Sequence, residues 1–301
     1  MSPRSAILYA RAKMIRSLRA GLDERGFIEV QTPLLVPGTF PDRAIEPVRA
    51  GPEYLVSSTE YQLKRLYAEG IPAAYTLGAN FRAGDLGRWH NPEFTMLEWG
   101  RAGATMREVE QEAEDLVKKA GEAAGVSVPG VWARVTVRAL LGSTFGVEVR
   151  DWSELAGIPG PLSNDADAHV SWLIDAALSS LDREIPTWVV GWPAHMTASA
   201  GLDPTDPTTT LRSEMFWRSL ELADGFPFCN DADWQRERTQ AENAARAQSG
   251  QATITEDARF LDAVPHLPVG AGMAMGVDRL CAALLNADSL AEVMAYAWGD
   301  R

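Results

Sequence analysis

The sequence predicts a mixed chain of helices and strands, either one large α/β or α+β domain or two small ones, and three observations carry this. The length is 301 residues, and 46% of them are apolar or aromatic, enough for a sizeable core. Amphipathic helical stretches alternate with strand-like runs, and two pairs of those runs read as hairpins.

The elements follow in order. Ser5 to Arg25 has Leu8, Ile15, Leu18 and Leu22 on one helical face, and Gly26 is placed to end it. "FIEVQTPLL" alternates like a strand, closed by Pro33. "STEYQLKRLYAEG" reads as a short helix with Ser58 or Thr59 near its N-cap and Gly70 past its end. "AAYTLGANFR" and "PEFTMLEWG" form a hairpin across the polar segment Ala83 to Asn91. Thr105 to Ala124 is an acidic helix, and residues 126–200 mix helical pieces with Pro/Gly turns. A second hairpin, "LRSEMFWRSLELADGF", turns at Trp217 to Ser219, and a polar helix runs from about Asp231 to Gln248. "GAGMAMGVDRLCAALLN" closes the pattern as a glycine-rich strand entering a helix.

Composition excludes several classes. No run approaches 18 apolar residues, so no membrane span is expected, and the basic, interrupted start is not a signal peptide. Two cysteines exclude a disulfide framework and a Cys-rich zinc site, and a reducing cytoplasm is the default. A net charge of −13 disfavours a wide grip on nucleic acid.

Three clusters could carry chemistry. Arg82 ends a strand and opens a loop holding Arg88 and His90, a cationic arrangement suited to polyphosphate, or an ordinary charged surface hairpin. Gly272, Ala274 and Gly276 share one strand face, which lets something flat approach the backbone or a helix pack closely. Arg279 follows, able to stack on a planar ring. Glu214 and Glu221 flank the second hairpin turn, and such a pair with phosphate oxygens makes a Mg²⁺ site, or is simply solvated. Together with Phe94 these are the parts of an ATP site that has neither a P-loop nor a Rossmann fingerprint.

With these residues in view, the sequence resembles the class II aminoacyl-tRNA synthetases, lysyl branch. "GFIEVQTPLL" looks like their motif 1, "FRAGDLGRWHNPEFTMLEW" like motif 2 and "GMAMGVDRL" like motif 3. "STEYQLKRL" and "ELADGF" match two further lysyl-type segments. The likeness covers nearly the whole chain. Since motif 1 stands almost at the start, with no anticodon-binding domain before it, the chain looks like the truncated elongation factor P lysine ligases. The resemblance implies an α+β fold, a mixed, mainly antiparallel sheet flanked by helices. It also implies a single catalytic domain over 1–301 with a helical insertion at about 104–200, and a homodimer. The implied reaction is ATP-dependent activation of an amino acid to an aminoacyl-adenylate, then transfer to a lysine side chain of a protein rather than to tRNA. By the same resemblance Arg82 holds the α-phosphate, Phe94 and Arg279 sandwich adenine, and Arg88 and His90 meet the outer part of ATP. Glu214 and Glu221 bind Mg²⁺, and Glu60 and Glu98 face the amino acid.

Three departures stand out. Motif 2 reads Phe81-Arg82-Ala83-Gly84, where the family has Glu at the fourth place, and Asp85 lies beside it. Gly100 replaces a Tyr. In Asp224-Gly225-Phe226-Pro227-Phe228 the last residue replaces the Glu that meets a distal ammonium. The amino acid is therefore expected not to be ordinary lysine, but one with a neutral or apolar side chain, or with its second amine near Asp224. Two other readings stay open: a biosynthetic ligase acting on a carrier protein or metabolite, and a non-catalytic regulator.

Overall fold

The computed structural model describes residues 3–39, 41–160, 166–196 and 199–300. Helix α1 (Pro3–Asp23) leads into the two-residue strand β1 (Ile28–Glu29). A small three-stranded sheet follows, from β2 (Leu35–Val36), β3 (Arg49–Ala50) and β4 (Glu53–Leu55). Helix α2 (Glu60–Ala68) precedes the hairpin β5 (Ala73–Phe81) and β6 (Glu93–Ala102). Next come α3 (Met106–Ala124), β7 (Ala133–Thr136), α4 (Val137–Phe145), α5 (Ala166–Leu178) and β8 (Thr187–Pro193). Strand β9 (Leu202–Asp203) is followed by the second hairpin, β10 (Asp206–Trp217) and β11 (Leu220–Pro227). The chain then forms α6 (Ala232–Gln248), α7 (Ala258–Ala263), β12 (Gly270–Gly276), α8 (Val277–Leu285) and α9 (Leu290–Val293).

The main sheet has nine strands in the order β1-β5-β6-β12-β11-β10-β8-β7, with β9 on β10. Its interior is antiparallel, whereas β1 with β5 and β7 with β8 run parallel at the two edges. The mixed, mainly antiparallel architecture expected from the sequence is present. Side chains alternate between faces along a strand. Leu97 and Trp99 of β6 and Met273 and Met275 of β12 join Met14 and Leu18 of α1, Val109 and Leu116 of α3, and Leu280 of α8 in the principal core. Met96 and Glu98, with Gly272, Ala274 and Gly276, line the opposite face, which carries a large cavity.

Two expectations change in detail. Only Ile28 and Glu29 of the first strand pair, with Ala74 and Tyr75 of β5. Pro33, which has no N–H to give a ladder, lies beyond them, and Leu35 and Val36 pair with β4 instead. The stretch 104–200 is not purely helical. α3 packs in the principal core, and β7 and β8 extend the main sheet, while α4 and α5 build a second core with Leu141, Trp152, Leu173 and Val189. Residues 161–165 and 197–198 of that stretch lie outside the described residues.

Candidate active site

The cavity, about 460 Å³, lies over the middle of the sheet between α2, the β5–β6 loop, β11 and the start of α8. Arg82, His90, Phe94, Glu221 and Arg279 line it, as do Glu60, Glu98, Asp224, Phe226 and Phe228. Arg88, Glu214 and Gly100 are not on its wall.

At the nucleotide end, the Arg82 guanidinium lies 5.1 Å from the centre of the Phe94 ring. Arg279 rises from the first turn of α8. One of its terminal nitrogens donates to the Glu221 backbone oxygen at 3.1 Å and to its carboxylate at 3.4 Å, the other to His90 Nε2 at 2.8 Å. Burial, and then the Arg279 charge, hold the His90 imidazolium below its usual range, so the ring stays neutral and can accept that bond. Asp278, almost fully buried, fixes the start of α8: it accepts from Thr95 N at 2.7 Å and pairs with Arg11 of α1 at 2.6 Å. The exposed Arg88 turns outward to Asp288 at 3.1 Å, with its guanidinium over Trp89. Gly84 sits at φ +76°, a left-handed conformation that disfavours a Glu at this point of the loop. Asp85, beside it, does line the cavity.

The two expected metal ligands part company. The β10–β11 turn puts Arg218 and Ser219 at positive φ between the paired Trp217 and Leu220. Glu214 lies opposite Asp224 and Phe216 opposite Glu221, with an irregularity in the ladder at Met215/Phe216. Arg212 takes Glu214 at 2.6 Å and both oxygens of Asp224 at 2.9 and 3.1 Å. Burial pushes the Glu214 carboxyl well above the carboxylate range. Arg212 opposes this, and repulsion from Glu221 and Asp224 adds to it. Among the described residues no group of three or more His, Cys, Asp or Glu is placed to hold a metal ion. Of the two expected ligands only Glu221 lines the cavity, and a divalent cation there would take its remaining ligands from phosphate oxygens.

The amino-acid end rests on α2 and β6. Glu60 pairs with Lys64 one turn later at 2.6 Å, and Lys64, 3% exposed, lies 5.1 Å from the Phe226 ring centre. Glu98, 4% exposed, accepts from Ser58 Oγ and Thr59 N, each at 2.5 Å, and from the Thr59 hydroxyl. Burial raises its carboxyl against those hydrogen bonds. Thr59 caps α2 without a side-chain bond, because its hydroxyl is spent on Glu98 and Thr76, and Ser58 Oγ accepts from Glu60 N at 3.1 Å instead. Phe228 stacks on Tyr67, with ring centres 5.1 Å apart and planes 14° apart. Gly100 lies behind that pair: a Cβ there would meet Phe228 Cζ and Tyr67 Oη at 2.9 Å.

Sequence reasoning passed over Lys64, Arg212, Tyr67 and Ser199. The Glu60/Lys64 spacing of four on a helix was the available signal for the first. Arg212 sits two residues before Glu214 on the same strand face. Among the described residues Ser199 Oγ is buried at the cavity without a hydrogen-bond partner, a fact that only the fold supplies.

A family profile described as tRNA synthetases class II (D, K and N) matches residues 2–298. Curated relatives include proteins named elongation factor P–(R)-beta-lysine ligase. That of Hamiltonella defensa is 32% identical over 96% of this chain and 94% of its own. Those of Pectobacterium carotovorum and Erwinia tasmaniensis are each 33% identical over 97% of this chain and 94% of their own.

Proposed function

Since the chain belongs to the class II tRNA synthetases and is an enzyme of their ligase type, we propose that it activates an amino acid with ATP and Mg²⁺ and passes it to a lysine side chain of a protein acceptor of the elongation factor P kind. The observation that carries the reading is one cavity gathering Arg82, Phe94, His90, Glu221 and Arg279 beside Glu60 and Glu98.

In this reading the amino acid's carboxylate oxygen attacks the α-phosphorus of ATP, pyrophosphate leaves, and an aminoacyl-adenylate results. The acceptor amine then attacks the acyl carbon, AMP leaves, and the amine gives up a proton. No general base is needed for the first step; positioning and charge neutralisation lower its barrier. Arg82 neutralises charge at the α-phosphate. Phe94 and Arg279 hold the adenine between them, which requires Arg279 to give up part of its contact with Glu221. Glu60, with one oxygen on Lys64, offers the other to the α-ammonium. Mg²⁺ would be held by Glu221, and by Glu214 only once it leaves Arg212, and would supply charge neutralisation at the outer phosphates. The acidic surface fits a protein acceptor better than tRNA. A second copy of the chain covers residues 28–35, where Ile28, Leu34 and Leu35 are exposed, to give a homodimer. Among the described residues no helix is long and apolar enough to cross a membrane. In this reading the reaction takes place in the cytoplasm, where ATP and the acceptor meet.

The test is amino-acid-dependent ATP–pyrophosphate exchange by the purified chain. Exchange is expected with at least one amino acid, and Arg279→Ala should lower it by at least about 100-fold. Failure of all amino acids to support exchange would sink the reading. Transfer is then followed as AMP release and a mass increment on elongation factor P.

A further inference from the structure

We propose that the amino-acid half of this cavity selects a substrate with no second positive charge, its neutral side chain lying against the Phe228–Tyr67 wall. The inference rests on the activation reading above and narrows its substrate.

The wall is built rather than incidental. Phe228 continues β11, its N–H donating to Gly270 O at 2.8 Å, and its ring stacks on Tyr67. The Tyr67 hydroxyl donates to Ala74 O at 2.9 Å and so is committed. Beneath the Phe228 ring lie three glycines from two strands. A Cβ added at Gly100, Gly270 or Gly272 would come within 2.9, 2.8 or 3.2 Å of that ring. The ring thus fills the volume that side chains on β6 and β12 would claim, and it presents apolar surface where a distal group would end.

Charge is equally decided. On the strands and helices that wall the cavity, the acids already have partners. Glu60 holds Lys64, Glu221 holds Arg279, Asp278 holds Arg11, and Asp224 spends both oxygens on Arg212. Glu98 has donors from Ser58 and Thr59 on both oxygens. Asp42 and Asp85 are on loops. The free oxygen of Glu60 suffices for the α-ammonium common to all amino acids. A second ammonium would be stripped of water beside an aromatic wall, with the fixed cations Lys64 and Arg212 on the same cavity and no carboxylate to spare on the strands and helices that wall it; the loop acids Asp42 and Asp85 line the cavity without an ion pair among the described residues. Asp224, the one residue in the departing motif that could have served a displaced amine, is closed to it by its two-pronged bond to Arg212.

The experiment is pyrophosphate exchange over the twenty amino acids plus (R)-β-lysine, with the wild-type chain, Phe228→Ala and Phe228→Glu. For the wild type, the best substrate should be neutral, with kcat/KM for lysine and (R)-β-lysine lower by at least about 100-fold. Phe228→Ala should shift preference toward bulkier neutral side chains and leave lysine poor. Phe228→Glu should raise lysine relative to the neutral substrate by about 10-fold or more. If the Glu variant does not fold, the wild-type panel and the Ala variant decide. Lysine or (R)-β-lysine as the best wild-type substrate would overturn the inference and leave the activation reading standing. No exchange with any amino acid would overturn both.

Discussion

His90 shows how a single protonation can govern the site. Its ring nitrogen accepts from Arg279, which only the neutral imidazole can do, and burial with the nearby guanidinium lowers its pKa from the ordinary 6.5. The sign follows: the neutral ring contributes stability that is present above the unfolded value and is lost as pH falls through the depressed folded one. KM for ATP should therefore be flat above neutrality and rise on the acid side, and a His90→Gln variant should lose that acid limb. Gly100 makes a second residue-scale case. Gly100→Ala drives a methyl into two stacked rings, and overpacking of this kind costs about 1–3 kcal/mol. Thermal denaturation should show a lowered Tm, and in a Phe228→Ala background the further loss from Gly100→Ala should be smaller. A double mutant no better than the sum of the singles would refute the contact. At this scale the motifs were legible because their spacing on strands fixes which face each side chain takes. Arg88 was not, since a loop residue's direction depends on what it finds, here Asp288. Nor was Glu214, whose spacing to Glu221 was plain while its capture by Arg212 was not.

Helix α6 illustrates the element scale. Its N-terminus was readable: Asp231 accepts from Asp233 N and Trp234 N, both at 3.0 Å. Its purpose was hidden in Arg246, fully buried near the other end. That guanidinium donates to the backbone oxygens of Asp42, Ile45 and Ala252, each at 2.9 Å, and to the Glu46 carboxylate. The helix thereby holds the loop 42–46, of which Asp42, Ala44 and Ile45 line the cavity. Arg246→Met would remove a donor from three carbonyls, of which Asp42 O keeps Ile45 N, and from the half-exposed Glu46, a loss of about 1–3 kcal/mol for the carbonyls left unsatisfied. Chemical denaturation should register it, and the looser loop should raise KM for substrate more than it lowers kcat. Elements with strong period or caps, such as α3 with its Thr105/Glu108 capping box, could be read from sequence. The strands β2, β3 and β4 could not, because runs of two or three residues leave no alternation to detect.

For the molecule as a whole, the sheet order joins segments that are far apart in sequence, and this the periodicity alone could not supply. Hairpins β5–β6 and β10–β11 were local and legible, while the parallel edges and the position of β12 needed the resemblance or the structure. The exposed Ile28, Leu34 and Leu35 set the prediction at this scale. Light scattering should give twice the mass of one chain, and Leu34→Asp with Leu35→Asp should halve it. A wild-type monomer at micromolar concentration would refute the paired form.

Strand β12 stands between β6 and β11, paired with β6 along its whole length and with β11 over Ala271–Met275. It is synthesised after both of them. Until residues 270–276 leave the ribosome, the two hairpins on either side have no common neighbour, and the floor beneath Phe228 is missing two of its three glycines. Between the emergence of Pro227 and that of Gly270 the nascent chain therefore carries two open strand edges, the kind of edge that pairs with the wrong partner. A product cut short before Gly270 should therefore be an aggregate rather than a weak enzyme.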